Sequence, residues 1–199
     1  GYYRMNGGTL NTWYMSIASE SGSSNIGVFD LFDGSVNVNG IFLNIGHLGD
    51  MGVLNLLGGT FYVKSRIYIT QSGNQNQIGI LNLLSPTASI ETSQYLEMAI
   101  PTGNKASVVN LNAGELRVNH IAVDKIGTPT YFNFNGGTLR AKQTNAAFMC
   151  STNYLTAATV YPGGAVIDSS TYNIGIAQNL QAPDGYGVGI IPLLDGGTG

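Results

Sequence analysis

The segment Gly52-Val53-Leu54-Asn55-Leu56-Leu57-Gly58-Gly59-Thr60-Phe61-Tyr62-Val63 contains two stretches of alternating apolar and polar residues, joined by a pair of glycines. Alternation with a period of two is typical of a half-buried strand. Glycine takes a positive φ without steric cost, so a glycine pair between two strands is typical of a sharp corner. The segment therefore predicts a strand, a corner and a second strand. Related segments occupy residues 29–36, 81–88, 109–116 and 132–139, and a degenerate copy ends at residue 10.

The second corner residue of each copy, or its substitute, recurs at a regular interval. The positions are Gly8, Gly34, Gly59, Pro86, Gly114, Gly137, Gly164 and Gly197, at spacings of 26, 25, 27, 28, 23, 27 and 33 residues. A period in the twenties is typical of a solenoid, in which each repeat buries its apolar face against its neighbours. The Leu-x-x-Leu-x-Leu spacing and the helical half of leucine-rich repeats are missing. We therefore predict an all-β fold, a single-stranded parallel β-helix of about seven to eight coils with three short strands per coil.

The repeats extend along the whole chain, so we expect residues 1–199 to form one β-helix segment of a longer repeat protein. The pattern loosens after residue 154, which predicts more irregular coils over 154–199, with a projecting loop near 178–187. Neither terminal stretch contains a helix-like or strongly charged cap, and bare strand edges recruit other strands. The open ends are therefore expected to pair with neighbouring repeats or with other copies.

Alternation assigns each strand residue to one of two faces. The apolar residues at one position of the repeat are predicted to stack in a single inward row, which consists of Leu56, Leu83, Leu111 and Phe134. One residue earlier, the polar residues are predicted to form an outward ladder of hydrogen-bonded side chains, which consists of Asp30, Asn55, Asn82, Asn110 and Asn133, with Arg4 against Asp30. Stacked coils lie about 4.8 Å apart, close enough for such bonds. The other interpretation of this row is a polar binding stripe.

Composition limits the classes of partner. Charged residues make up only 10% of the chain and the net charge is −3, so there is no basic surface for nucleic acid. No apolar run approaches the roughly 18 residues that cross a bilayer, so no membrane insertion by this segment is expected. The single Cys150 follows Ala147-Phe148-Met149 and is interpreted as a small buried apolar residue. No cofactor and no metal site are predicted.

The best candidate ligand-binding residues lie on the outward side of the strands that follow the corners. Tyr62, Arg117 and Arg140, with Ser89 in the same set and Lys142 two residues after Arg140, place cations beside a tyrosine on a flat sheet face. Such a face could hold an acidic glycan by charge and by ring stacking. The alternative is that these side chains only keep the surface soluble.

Two carboxylates offer a weaker candidate for catalysis. Glu97 and Asp124 fall at comparable positions in adjacent coils, and a glycosidase uses two carboxyl groups as acid and nucleophile. No neighbouring acidic or histidine cluster reinforces them. His47 and His120 lack a Ser, Cys or carboxylate partner at a recognisable spacing and are interpreted as surface or turn residues. We predict no catalytic residue.

The segments Leu54-Asn55-Leu56-Leu57-Gly58-Gly59-Thr60-Phe61 and Phe132-Asn133-Phe134-Asn135-Gly136-Gly137-Thr138-Leu139 resemble the autotransporter-associated β-strand repeat of large bacterial exported proteins. Residues 163–168 and 173–180 also resemble a segment found in such proteins. The resemblance implies a right-handed parallel β-helix, a passenger or stalk role, and a cell-surface or secreted location. It supplies no catalytic residues.

Together these observations favour a non-enzymatic structural or adhesive solenoid segment of a bacterial cell-surface or secreted protein, self-associating end to end. The alternative function is a carbohydrate-binding or carbohydrate-cleaving β-helix that acts on an acidic polysaccharide, with the face of Tyr62, Arg117 and Arg140 as its groove.

Overall fold

A computed structural model describes residues 1–19, 25–47, 51–71, 77–99, 105–124, 127–150 and 153–184. Every regular element in these ranges is a β-strand, and they contain no helix that could span a membrane. The strands are β1 (Tyr2–Thr12), β2 (Met15–Ser19), β3 (Ile26–Val38), β4 (Phe42–His47), β5 (Met51–Leu56), β6 (Thr60–Val63), β7 (Arg66–Gln71), β8 (Ile78–Leu83), β9 (Ser89–Thr92), β10 (Leu96–Met98), β11 (Ala106–Leu111), β12 (Glu115–Val118), β13 (Ile121–Val123), β14 (Thr130–Phe134), β15 (Thr138–Ala141), β16 (Asn145–Met149), β17 (Ala157–Val160), β18 (Val166–Asp168), β19 (Ile174–Ile176) and β20 (Leu180–Gln181).

The strands stack in parallel as a β-solenoid, which confirms the predicted all-β fold. We call the strands of one repeat a level of this stack. From the third repeat onward each repeat contributes three strands, for example β5, β6 and β7, and each pairs with its counterpart in the next repeat. In the first two repeats the first and second strands run through the corner as one long strand, β1 or β3. The first and second faces of the solenoid consequently belong to one 13-stranded sheet, and the third face is a 7-stranded sheet.

The solenoid makes about six turns, slightly fewer than the seven to eight coils expected. Part of the difference comes from counting corners in place of turns, because the seven corners from Gly8 to Gly164 are separated by six intervals. The eighth corner counted in the sequence, Gly197, lies outside the described residues. Part of the predicted projecting loop, residues 185–187, also lies outside the described residues. Within residues 178–184 the short strand β20 pairs with β17 as a further level of the stack.

The core is the interior of the solenoid. The predicted inward row is confirmed, because Leu56, Leu83, Leu111 and Phe134 are register partners in successive levels and all are fully buried. Phe132 and Phe134 pack against each other inside it, with ring centroids 4.7 Å apart. Burying a large apolar side chain contributes about 1.5–3 kcal/mol, so these rows dominate the stability of the stack.

The corner of the fourth repeat is not at Pro86, as the sequence predicted, but two residues later. Ser89 pairs with Thr60, so Ala88 occupies the position of Gly59. The extra residues form a small turn in which the Ala88 amide donates to the Ser85 carbonyl at 3.0 Å. This shift moves Ser89 away from the position of Tyr62 and puts Glu91 there instead.

A second set of sharp bends closes the third face. Residues with positive φ lie at the ends of five of its strands: Ala18 (φ 60) in β2, Gly46 (φ 75) in β4, Thr70 (φ 61) in β7, Ala99 (φ 58) just after β10 and Cys150 (φ 57) just after β16. A left-handed backbone costs a non-glycine residue roughly 1–2 kcal/mol, so the bend is imposed by the stacking of the levels. At Thr70 the buried hydroxyl is compensated by Ser107, whose Oγ lies 2.6 Å from Thr70 Oγ1.

Candidate functional site

The polar row on the first face is a continuous chain of hydrogen bonds. Asn55 donates from Nδ2 to Oδ1 of Asp30, and Asn82, Asn110 and Asn133 each donate to Oδ1 of the asparagine before them, every bond being 2.7 Å long. Each internal asparagine thus donates once and accepts once within the row. The side chains are used in contacts between levels, which favours a structural ladder over a binding stripe.

Arg4 lies in register with Asp30, but its guanidinium does not bind that carboxylate. The Arg4 Nε donates to Asn6 Oδ1 at 2.8 Å, and the Arg4 Cζ lies 4.2 Å from the centroid of the Phe32 ring. The second oxygen of Asp30 instead accepts a 2.8 Å bond from the Tyr2 hydroxyl. Arg4 and Asp30 are therefore neighbours in the strand pairing but their side chains do not bond, because the Phe32 ring and the Asn6 amide are closer to the guanidinium.

On the second face, the predicted binding residues lie in one outward row with three carboxylates that the sequence interpretation missed. Tyr62, Glu91, Arg117, Arg140 and Asp168 are register partners at successive levels. Glu115 lies beside them on β12, and Lys142 follows β15. We call this set, with Tyr62 apart, the charged row. Glu91 could have been found from the sequence, because Ile90 takes the inward position of Phe61 and fixes the phase of β9.

Every cation of the charged row is paired within it. Arg117 Nε lies 2.8 Å from Glu115 Oε1, and Arg140 also bonds this carboxylate while its Nη1 lies 3.1 Å from Asp168 Oδ2. Lys142 bonds Glu91 and donates to the Thr92 carbonyl at 2.9 Å. Three cations thus meet three carboxylates, so the row carries no excess positive charge. Tyr62 is not part of this network, since its hydroxyl lies 2.9 Å from Ser93 Oγ.

Glu115 shows the balance of forces in the charged row. Partial burial alone would raise the pKa of the Glu115 carboxyl, but the hydrogen bonds and positive charges of Arg117 and Arg140 outweigh it. The pKa of Glu115 is therefore lowered. A lowered pKa within a row of matched ion pairs is typical of a structural network. A cavity of about 290 Å³ beside the row is lined by four of its paired side chains and by residues 141 and 170–172.

The third face carries aromatic side chains that stack along the solenoid. Tyr14 packs on Phe42 and Phe42 on Tyr68, both at 5.2 Å between centroids, and Tyr95 stacks on His120 at 4.6 Å. Arg66 connects the two groups: its Cζ lies 4.7 Å from the Tyr95 centroid and its Nη1 donates to the Tyr68 hydroxyl at 2.9 Å. Such pairs stabilise cross-strand packing by roughly 0.5–1.5 kcal/mol each.

This face also brings together Glu97 and Asp124, which the sequence interpretation had considered as a pair, and His120, which it had considered separately. All three line one cavity of about 480 Å³, together with Asn145 and Asn153. We call this cavity the Glu97 groove. Glu97 lies opposite Ala122 in the ladder, so Asp124, which follows β13, is two positions after the partner of Glu97 and His120 is two positions before it. The sequence interpretation placed Glu97 and Asp124 in adjacent coils but missed His120, since the phase of these short strands depends on neighbouring levels.

The electrostatics of the Glu97 groove differ from those of the charged row. Burial, and then the negative charge of Asp124, raise the pKa of Glu97, while Arg66 opposes the shift. Burial lowers the pKa of His120, which favours the neutral imidazole. Within the described part of the chain, Nδ1 of His120 is buried without a hydrogen-bond partner. Among the described residues, this nitrogen is thus a polar atom of a groove residue whose bonding capacity the protein does not use.

His47 and Cys150 carry side chains of types that take part in catalysis, and the surroundings of each account for it. Ser19 Oγ and His47 Nδ1 lie 2.8 Å apart in an exposed contact between the ends of β2 and β4. These residues are 28 positions apart in the chain, so the contact comes from the stacking of two levels and not from a recognisable motif. Cys150 is buried, and burial raises the pKa of its thiol to about 11. A thiol with this pKa is not a nucleophile near neutral pH. Among the described residues no group of three or more His, Cys, Asp or Glu side chains could hold a metal ion.

Comparison of the chain with protein-family models, with curated proteins and with solved structures finds no match. The function is therefore argued from the geometry of the three faces.

Proposed function

We propose that this chain is a non-enzymatic structural or adhesive solenoid segment of a bacterial cell-surface or secreted protein. The observation that carries the proposal is the unbroken hydrogen-bonded ladder from Asp30 to Asn133, which runs beside a fully buried core row. Side chains on this face serve to hold one level on the next, as expected of a stalk or scaffold. The location, and the right-handed coil, rest on the resemblance of residues 54–61 and 132–139 to the autotransporter-associated repeat.

The edge strand β1 supports the proposed association with another level. β1 bonds β3 on one side, and no other described strand pairs with it. Beside it, a cavity of about 420 Å³ is lined partly by Leu10, Met15, Ile17 and Phe29. An apolar opening next to a bare strand edge favours addition of a further strand, from neighbouring repeats or from a second copy. Light scattering over a concentration series distinguishes a self-associating species from a strict monomer.

The rival function, recognition of an acidic polysaccharide by Tyr62, Arg117 and Arg140, receives less support. An anionic ligand would have to displace Glu91, Glu115 and Asp168 from the cations they already neutralise. Breaking such a network costs the ligand much of the energy that its own ion pairs would contribute. The charged row is better explained as an inter-level network of the scaffold.

The test is a reducing-end assay on a panel of neutral and acidic polysaccharides, run with the purified chain. A scaffold releases no reducing ends from any member of the panel. Release that disappears in both Glu97→Gln and Asp124→Asn, with the fold retained, would overturn the non-enzymatic proposal and show a carbohydrate-cleaving enzyme.

A further inference from the structure

The Glu97 groove lies where the ladder of the third face slips. Elsewhere on this face, neighbouring strands share two to five residue pairs, with five between β4 and β7 and three between β10 and β13. Between β13 and β16 only Ile121 and Met149 are paired. Toward the next level Asn145 and Met149 pair with Ile174 and Ile176, so β16 contains two extra residues and bulges between these positions. Asn145 and Ala147, which belong to this irregular strand, line the groove.

The polar groups at the slip are partly capped by the protein itself. Asn153 Nδ2 donates to the Val123 carbonyl at 3.2 Å and to the Asp124 carbonyl at 2.8 Å. Asn145 Oδ1 accepts from the Ala147 amide at 2.8 Å. These contacts fix the walls of the groove, so it is a formed cavity in the resting protein. A pre-formed cavity binds a ligand without the cost of ordering its walls.

The side chains in the groove both donate and accept hydrogen bonds. Glu97 and Asp124 contribute carboxyl oxygens, His120 lines the groove with its imidazole, of which Nδ1 is buried, and the two asparagines add amides. Within the described residues Glu97 has no hydrogen bond to another side chain. Sugar hydroxyl groups, which donate and accept in the same way, are suited to this mixture, and a volume of about 480 Å³ is in the range of ligand sites.

The charge of the groove sets the class of sugar. Glu97 and Asp124 both line the groove, and its described lining contains no lysine or arginine. Burial and then the negative charge of Asp124 raise the pKa of Glu97, against the opposing charge of Arg66. The two carboxyl groups make the groove unfavourable for an anion. A uronic acid or sulfated sugar would add a further negative charge at this place and be repelled. The ring of His120, which is stacked on Tyr95, gives one wall an aromatic character that suits the apolar face of a pyranose.

We infer that the Glu97 groove binds a short stretch of a neutral polysaccharide. The inference goes beyond the scaffold role, because a stack of levels needs no ligand, and it supplies a chemical basis for the adhesive part of that role. It also replaces the acidic ligand expected from the sequence by a neutral one, and it moves the site from the second face to the third.

The test is titration of the full chain with tetrasaccharides of neutral glucose, galactose and mannose and, for comparison, of galacturonic acid, followed by calorimetry and by backbone amide shifts. At least one neutral tetrasaccharide is expected to bind and to shift the amides of Ala122, Asp124 and Asn145, with galacturonate binding more weakly. Asp124→Asn and Glu97→Gln are each expected to weaken binding roughly tenfold, the size of one lost charge-assisted hydrogen bond.

The matched control is Glu91→Gln, the same change on the second face, which is expected to leave the affinity unaltered. Absence of binding by every neutral tetrasaccharide, shifts confined to residues outside the groove, or equal weakening by Glu91→Gln would overturn the inference. The amide shifts of the unmodified protein test the inference even if a groove variant fails to fold.

The outcomes of this titration and of the reducing-end assay distinguish the two proposals. Binding without release of reducing ends supports both the scaffold and the groove. Binding with release overturns only the non-enzymatic proposal, and absence of binding overturns only the groove.

Discussion

Leu83 and Leu84 are neighbours in the chain, yet the alternation of β8 ends between them and separates their surroundings. Leu83 is fully buried, whereas Leu84 is 42% exposed. Leu83→Ala is expected to lower the free energy of unfolding by about 2–5 kcal/mol, because it leaves a cavity between Leu56 and Leu111. The matched Leu84→Ala is expected to change it by less than about 0.5–1 kcal/mol. Denaturant melts of the two variants compare them; equal losses would show that the faces are misassigned.

Substitution by glutamine is predicted to change the stability of the folded protein in opposite directions at Glu97 and at Glu115. The pKa of Glu97 is raised in the folded protein, so stability falls as the pH rises from its unfolded pKa through its folded pKa. The pKa of Glu115 is lowered, so it contributes stability above its unfolded pKa, and this is lost as the pH falls through the folded pKa.

At pH 7 Glu97→Gln is therefore expected to stabilise the protein and Glu115→Gln to destabilise it. Both differences should shrink toward pH 3, where the glutamates approach protonation in either state. Thermal melts of the two variants and the wild type between pH 3 and pH 7 measure this. A stabilising Glu115→Gln at pH 7 would contradict the ion-pair geometry of the charged row.

At this scale the sequence predicted the inward and outward sides of most strands, because alternation is a local property. It placed Leu83 and Asn82 correctly. It misplaced Ser89, because the turn at residues 85–87 adds two residues before β9 and Ser89 pairs with Thr60. It also missed the carboxylates that pair with Arg117 and Arg140, of which Glu115 lies on the strand of Arg117 and Glu91 and Asp168 lie on neighbouring levels.

Among the elements, the corners carry the strongest backbone constraint. Gly59 has φ +70, and a Cβ added there would lie 2.6 Å from the Gly34 carbonyl oxygen of the level before. Gly8 has φ +81 at the equivalent corner, but a Cβ there would meet no atom within 4 Å. The two glycines thus share the left-handed backbone and differ in the closeness of the adjacent level.

Gly8→Ala is expected to cost about 1–2 kcal/mol, the penalty for a left-handed alanine. Gly59→Ala is expected to cost more than this, because the backbone of two levels must also separate. Chemical denaturation of both variants measures the difference. Equal costs would mean that the levels do not approach as closely at the corner as the structure has them.

Other elements could not have been predicted in this way. The bends at Ala18, Thr70 and Ala99 use residues that rarely adopt positive φ, so composition provides no signal for them. The slip between β13 and β16 likewise depends on which levels pair, and the sequence of β16 alone does not specify it. The sequence therefore brought Glu97 and Asp124 together in adjacent coils, but it could not predict the cavity beside them or the contributions of His120, Asn145 and Asn153.

For the whole molecule, the period of the repeat predicts the architecture because each level can bury its apolar residues only against the next. The level-to-level pairing is what converts a loose repeat into a single core row, one polar ladder and one charged row. All three rows therefore depend on strands being stacked in register, since a slip of one residue would exchange the inward and outward sides of a strand.

Contacts between side-chain amides of successive levels test this register most directly. Asn82 donates to Asn55 and Asn110 donates to Asn82, at 2.7 Å in both cases. In a nuclear Overhauser experiment on ¹⁵N-labelled protein, the Nδ2 protons of Asn82 should therefore show contacts to Asn55 and Asn110, and those of Asn133 a contact to Asn110. Contacts from Asn82 only within its own strand, or to Leu54 and Leu56 instead of Asn55, would contradict the stacked solenoid described here.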